Sequence, residues 1–247
     1  MAVLRKEQLR KEQNLTPAFS PGSRGRLTGR DLARFPGDNL FDRLARAVCQ
    51  AECLPRKELY EAWEVARRVR RLFRGGRVVD LGAGHGLLAH LMLLLDDSSP
   101  QAIAVDRRLP PSSITLHEAL AATWPRLRGR ITFHTGPLDE FVLHAGDVVV
   151  SSHACGALTD VVLDRAGAAR ARVAVLPCCH HLARGRLANG PSGDGGAASL
   201  EGWLDGALAI DVARAQRLQA LGYRIRTQTI APGITPKARL LVGAPIG

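Results

Sequence analysis

Two short runs of the 247-residue chain gather side chains that can move protons or attack carbon. One is Ser151-Ser152-His153-Ala154-Cys155-Gly156-Ala157-Leu158-Thr159-Asp160; the other is Leu176-Pro177-Cys178-Cys179-His180-His181. Each follows a short β-branched run, so each reads as the tip of a strand. In a parallel sheet these tips lie side by side, and His153, Cys155, Cys178, Cys179, His180 and His181 converge. An imidazole is the natural general base near neutral pH, and a thiolate attacks carbon. A 2′-hydroxyl needs a base, or a cation that stabilises the forming alkoxide. His153, His180 or His181 could be the base. Lys237, in Ile234-Thr235-Pro236-Lys237-Ala238-Arg239, could place the cation, and Arg239 could hold phosphate. Cys155 with Cys178 or Cys179 could instead supply the thiolate that C5 methylation of a pyrimidine requires. Two Cys and two His also make a zinc set, but adjacent Cys-Cys and His-His cannot all reach one ion easily, and no metal is assigned.

A third run, Val78-Val79-Asp80-Leu81-Gly82-Ala83-Gly84-His85-Gly86, closes a strand and opens an apolar helix. Gly82, Gly84 and Gly86 let the backbone turn tightly around Ala83 and let a ligand approach without Cβ interference. Asp106 ends the next strand, 24 residues beyond Gly82. It is placed to accept hydrogen bonds from two ribose hydroxyls and would repel a ribose phosphate. Dinucleotide sites use G-x-G-x-x-G. Here Leu87-Leu88 follow, and Asp80 precedes the turn. A carboxylate at that place disfavours a pyrophosphate and favours a cationic cofactor.

The spacing of Asp80, Gly82, Gly84 and Gly86 resembles motif I of class I S-adenosylmethionine (SAM) methyltransferases. The resemblance implies SAM as cofactor and a Rossmann-like α/β sheet of seven strands. In that fold the loop after the third strand borders the adenine, so Leu138 would pack on the purine and Asp139 would accept from its amino group. Ser152 would line the same cofactor site. The pair formed by His-x-Cys-Gly-x-x-Thr-Asp at 153–160 and Cys-Cys-His-His at 178–181 is more specific. It is similar to the eukaryotic tRNA 2′-O-methyltransferases that act on the acceptor stem, and to related methyltransferase-like proteins, over roughly residues 55–181. This implies RNA as the substrate class, with tRNA favoured. Those enzymes carry Cys/His zinc modules ahead of the domain; this chain has only Cys49 and Cys53 there, too few for a closed zinc site. The aromatic residues that usually follow Cys-Cys-His-His are replaced by Leu182-Ala183-Arg184-Gly185-Arg186, so the same tRNA position is not implied. The alternatives are a small-molecule or protein methyltransferase, or a SAM-binding partner subunit without catalysis. The Asn-Pro-Pro-Tyr tetrad of amino-group methylases is absent after the fourth strand.

The elements that must position these residues follow from pattern. β-branched runs at 77–81, 102–106, 131–134, 147–151, 173–176, 223–230 and 238–242 alternate with helical segments at 86–95, 113–124, 158–168 and 204–221, and with a short turn near 138–142. Such alternation predicts a mostly parallel sheet covered on both faces. Only about eight residues join the last two strands, too few for a helical crossover, so that pair should be antiparallel. Helical rhythm also marks 38–53 and 57–73, the second opened by Pro55 and stopped by Gly75-Gly76. The chain therefore reads as a basic N-terminal arm (1–37, with a short helix at 3–13), a helical segment (38–75) and a catalytic domain (76–247). Residues 183–202 read as a long glycine-rich loop at the mouth of the site, with Arg184 and Arg186 available to phosphate.

Composition sets the outer bounds. Hydrophobic residues make up 46% and charged residues 23%, the range of a folded globular chain. The net charge is +11, and residues 1–75 hold 17 of the 34 basic side chains against nine acidic ones. That asymmetry suits a polyanion such as nucleic acid. No stretch is apolar enough to span a bilayer, and no secretory signal is legible, so a membrane partner is excluded. Five cysteines, an odd number with two adjacent, argue against a disulfide framework and for the cytoplasm.

Overall fold

The β-branched runs form strands where the pattern places them. The computed structural model describes residues 25–152, 154–177 and 205–247. Its strands are β1 (Val78–Leu81), β2 (Ala102–Asp106), β3 (Ile131–Thr135), β4 (Val148–Ser151), β5 (Arg172–Val175), β6 (Tyr223–Thr229) and β7 (Arg239–Pro245). They make one sheet in the order β3-β2-β1-β4-β5-β7-β6. β1 to β5 are parallel, and β7 runs antiparallel to both β5 and β6. This is the expected α/β architecture, antiparallel end pair included. β7 extends past the expected stop at Val242, because Tyr223 and Arg224 of β6 pair with Pro245 and Ala244. The chain steps outward from β1 to β3 and returns on the other side of β1 as β4. Strand order thus reverses between β1 and β4, which opens a crevice at their carboxyl ends.

Among the described residues six α-helices flank the sheet: α1 (Leu40–Ala51), α2 (Arg56–Leu72), α3 (Leu87–Leu94), α4 (Ser112–Thr123), α5 (Ala157–Ala168) and α6 (Gly206–Ala220). Local chemistry sets their ends. Asn39 caps α1, its side-chain oxygen accepting from the Asp42 N–H at 2.9 Å. Pro55 precedes the first turn of α2, where a missing N–H costs nothing. Asp205 caps α6 by accepting from Ala207 and Leu208 at 2.8 and 3.1 Å. The expected short turn is present at 138–140, where the Glu140 N–H donates to the Pro137 carbonyl at 3.3 Å.

Strand residues alternate between two cores. Val78, Ala104, Val148, Val150 and Val242 face one cluster with α1, α2, α3 and α4. Val79, Leu81, Val105, Val149 and Val173 face the other, with α5 and α6. Every residue of α3 is buried, as a helix lying between the sheet and α2 requires. Phe41 of α1 meets Tyr60 and Trp63 of α2 edge-on, at centroid distances of 4.9 and 5.2 Å. Arg70 of α2, wholly buried, reaches the Met92 carbonyl of α3 and the Ser99 hydroxyl, each at 2.8 Å. Residues 25–37, the end of the segment read as an arm, carry a 3-10 turn (Gly29–Arg34) and bury Leu27 and Phe35. Residues 1–24, including the expected helix at 3–13, lie outside the described residues. No described helix is long and apolar enough to cross a membrane.

Candidate functional site

β1 delivers the backbone to Gly82, and the loop is then pinned over β2: the N–H groups of Gly82 and Ala83 both donate to the Val105 carbonyl, at 2.9 and 3.1 Å. Gly82, Gly84 and Gly86 have φ of +73°, +54° and +77°, conformations that side chains of other residues rarely allow. Their surroundings differ. A Cβ on Gly86 would lie 3.1 Å from Phe133 and 3.2 Å from Ala104, so this glycine serves packing. A Cβ on Gly84 would meet nothing within 4 Å, so here the backbone is open to a ligand. The Gly84 N–H donates to Asp106 Oδ2 at 2.9 Å, and the Arg108 N–H to Oδ1 at 3.1 Å. Each carboxylate oxygen keeps a lone pair for a further donor.

Beneath the loop, Asp80 is 1% exposed and accepts from the Ala89 N–H at 3.2 Å. Burial pushes its carboxyl up to about 7, against the pull of that hydrogen bond. His90 braces the loop from the same side. Its Nδ1 lies 2.7 Å from the Gly86 carbonyl, and its Nε2 lies 3.0 Å from His117 Nδ1. A carbonyl only accepts, so His90 donates from Nδ1 and accepts at Nε2, and His117 donates to it. Burial pushes His90 down to about 4, which keeps it neutral. Leu138 packs in the α5–α6 core beyond β3, and Asp139 is exposed in the turn.

A cavity of about 290 Å3 opens between this loop and the first turns of α2. Glu58 and Ala62 form one wall, and Ala83, Gly84 and His85 the other; Ser152 closes the β4 side. Glu58 makes no side-chain hydrogen bond or ion pair among the described residues, and no Lys or Arg lines the cavity. The cavity therefore favours a cationic ligand. Sequence reading missed Glu58. An acid in the first turn of a helix is ordinary, because it complements the helix dipole, and no local signal separates it from the rest.

β4 and β5, which the two Cys/His motifs follow in sequence, are hydrogen-bonded neighbours with Ser151 opposite Val175. The strand tips are thus adjacent, as expected. Ala154 packs on the glycine loop, 3.5 Å from where a Gly82 Cβ would stand, and Cys155 beyond it is exposed. The rest of this motif is scaffolding. The Thr159 hydroxyl donates to the Ala154 carbonyl. Asp160 holds Arg214 of α6 through two hydrogen bonds at 2.9 and 3.0 Å. Arg214, 2% exposed, also donates to the Gly156 carbonyl at 3.0 Å and so ties the β4–α5 loop to α6. Lys237 is exposed in the β6–β7 link, and the antiparallel register of Val175 with Leu241 puts that link at the same sheet edge as the tips of β4 and β5. Arg239 is engaged instead by Asp211, at 2.7 Å. Cys49 and Cys53 are buried core residues, and burial pushes the Cys49 thiol up to about 11. His153, Cys178, Cys179, His180, His181, Arg184 and Arg186 lie outside the described residues, as does all of 183–202.

A family model described as a methyltransferase domain matches residues 57–186. No curated protein matches the chain. Among solved structures, an O-methyltransferase family protein from Burkholderia thailandensis superposes with a TM-score of 0.50 at 17% identity, over 99% of this chain and 70% of that one. The tRNA methyltransferase TrmK of B. subtilis gives 0.47 at 16%, over 74% and 66%. The magnesium protoporphyrin IX methyltransferase of Synechocystis PCC 6803, solved with bound SAH, gives 0.43 at 17%, over 88% and 94%. At these identities the likeness concerns the fold.

Proposed function

The chain belongs to the family of methyltransferase domains and is a SAM-dependent enzyme; from that premise we propose that its acceptor is RNA, tRNA first, at a ribose 2′-hydroxyl. SAM supplies an electrophilic methyl group. The residues present suit it: an open backbone at Gly84, a ribose acceptor at Asp106, and a cavity with an acidic wall. In this reading Gly82, Ala83, Gly84 and Gly86 form the loop that carries the cofactor. Asp106 takes the ribose hydroxyls, and Leu138 and Asp139 border the adenine. Ser152 and Glu58 face the methionine end, Glu58 meeting its ammonium group. Asp80 supports the loop from below.

One of His153, His180 and His181 takes the proton of the acceptor hydroxyl, and Lys237 offsets the charge that develops on its oxygen. Cys155, Cys178 and Cys179 complete the lining of this mouth. The observation that carries the reading is the adjacency of β4 and β5 beside the glycine loop. In sequence, the two motifs that resemble tRNA 2′-O-methyltransferases follow β4 and β5, and Ser152 at the end of β4 lines the cavity. The net charge of +11 supports a polyanionic acceptor.

Transfer from tritiated SAM into separate pools of unmodified tRNA, ribosomal RNA, protein and small metabolites tests this. Label is expected in tRNA, and nucleoside analysis should place it on ribose. Label on a pyrimidine base would move the chemistry to the Cys155 side, and label confined to protein or metabolites would overturn the RNA acceptor. Glu58 has its own test. Glu58→Gln keeps the shape and removes the charge, so SAM affinity by calorimetry should fall about tenfold, roughly what one charge-assisted contact contributes. Unchanged affinity would remove Glu58 from the site.

A further inference from the structure

A second cavity, about 330 Å3, lies away from the glycine loop, between the end of α2 and the β6–β7 pair. Its floor is apolar, with Leu72, Phe73, Val242 and Ala244. Its walls are Arg71 of α2 and Arg224 and Arg226 of β6, and no acidic residue lines it. The strand register fixes the geometry. Arg224 stands opposite Ala244 and Arg226 opposite Val242, so the two arginines share one face, about 7 Å apart along the strand.

Several other exposed or half-exposed arginines among the described residues are tied down: Arg74 to Asp96, Arg126 to Asp97, Arg217 to Asp160 and Asp164. Arg224 and Arg226 are exposed, and among the described residues their side chains have no ion pair or hydrogen bond. Burial and the neighbouring charges of Arg67 and Arg68 push the Arg71 guanidinium down, a crowding of like charges that an anion relieves. Charged residues on an edge strand also discourage sheet-to-sheet pairing. That duty alone needs no groove, whereas here a cavity separates the two strand arginines from a third on a helix.

We propose that this groove binds the phosphodiester backbone of the RNA acceptor, at a site separate from the reacting end. The inference rests on the RNA reading above. Guanidinium forks match phosphate oxygens bidentately, and an apolar floor suits a ribose or base face between successive phosphates. Arg226 lies three residues, about 10 Å, below the upper end of β6 at Thr229, where Arg68 reaches the strand's last carbonyl at 3.2 Å. RNA held here would run up the sheet edge toward the tips of β5 and β4. The groove fixes direction and grip, and carries no base readout.

The test is the affinity of a short fluorescein-labelled oligouridylate, by anisotropy across a salt series. It compares the wild-type chain with Arg224→Ala/Arg226→Ala and Arg224→Lys/Arg226→Lys. Each phosphate contact to single-stranded nucleic acid contributes about 0.7 to the salt slope. Losing two contacts should lower the slope by about 1.4 and the affinity at 0.1 M salt by roughly 25-fold. The lysine pair should keep most of both. Calorimetric SAM affinity should stay unchanged in all three proteins, which shows them folded. Wild-type binding that the alanine pair leaves intact, in slope and affinity, would overturn the groove and leave the RNA reading standing. A wild-type chain that binds no oligouridylate and labels no RNA would overturn the RNA reading itself. Displacement of the oligouridylate by polyglutamate as readily as by polyphosphate would also overturn the groove as a phosphate site.

Discussion

Asp80→Asn is expected to abolish a pH-dependent loss of stability of about 4 kcal/mol in the cofactor-free protein, while weakening SAM binding. The Asp80 carboxyl is pushed from its ordinary 3.8 up to about 7 by burial. Between those values the unfolded chain has released this proton and the folded protein still holds it. The folded state binds more protons, so stability falls as pH rises through that window. A shift of about three units corresponds to about 4 kcal/mol, fully expressed above pH 7. Asparagine cannot titrate, so the difference between variant and wild type, measured by denaturant unfolding at pH 5 and pH 8, isolates the group; that interval spans about two pH units of the window and should show about 3 kcal/mol of the total. Asparagine can still accept from the Ala89 N–H, which keeps the loop support. A cation bound above the loop favours the carboxylate, so SAM binding near neutral pH should release protons in the wild type. Calorimetry in buffers of different ionisation heat should show less release in the variant. Parallel pH profiles for the two proteins would show that Asp80 titrates as an ordinary surface acid.

Arg214→Met should cost about 3 kcal/mol of stability and reduce methyl transfer more than cofactor binding. Arg214 is buried and joins Asp160, Asp211 and the Gly156 carbonyl. Removing one partner of a buried ion pair leaves charge and polar groups unmatched, typically at a cost of about 3–5 kcal/mol. The lower end applies, because Asp160 is 24% exposed and keeps Arg217, and Asp211 keeps Arg239. The loop released is the one that carries Cys155, not the glycine loop. Stability should therefore show in the denaturation midpoint, and kcat should fall with little change in KM for SAM. Arg214→Lys, with a charge but no fork, should recover part of the stability and less of the rate. A Met variant with wild-type kcat would make Arg214 a purely structural residue.

What could be read from sequence was local. Strand and helix positions follow from side-chain periodicity, and the antiparallel end follows from a link too short to cross over. The glycine loop declares itself because Gly82, Gly84 and Gly86 adopt positive φ, and Asp106 because it ends the neighbouring strand. Adjacency of β4 and β5 was legible from parallel order alone. What the sequence left open depended on pairings between distant residues. Asp160 sits within a motif that suggests chemistry, yet it holds a loop, because Arg214 arrives from 54 residues away. Arg239 looked available to phosphate until Asp211 was placed against it. Glu58 came to line the cavity beside the glycine loop only when α2 packed over that loop, and Arg224 and Arg226 became a groove only beside Arg71. Periodicity and glycine conformations are properties of neighbouring residues, so one chain determines them by itself. Charge pairing depends on which surfaces hydrophobic burial brings together, and tertiary packing alone decides that.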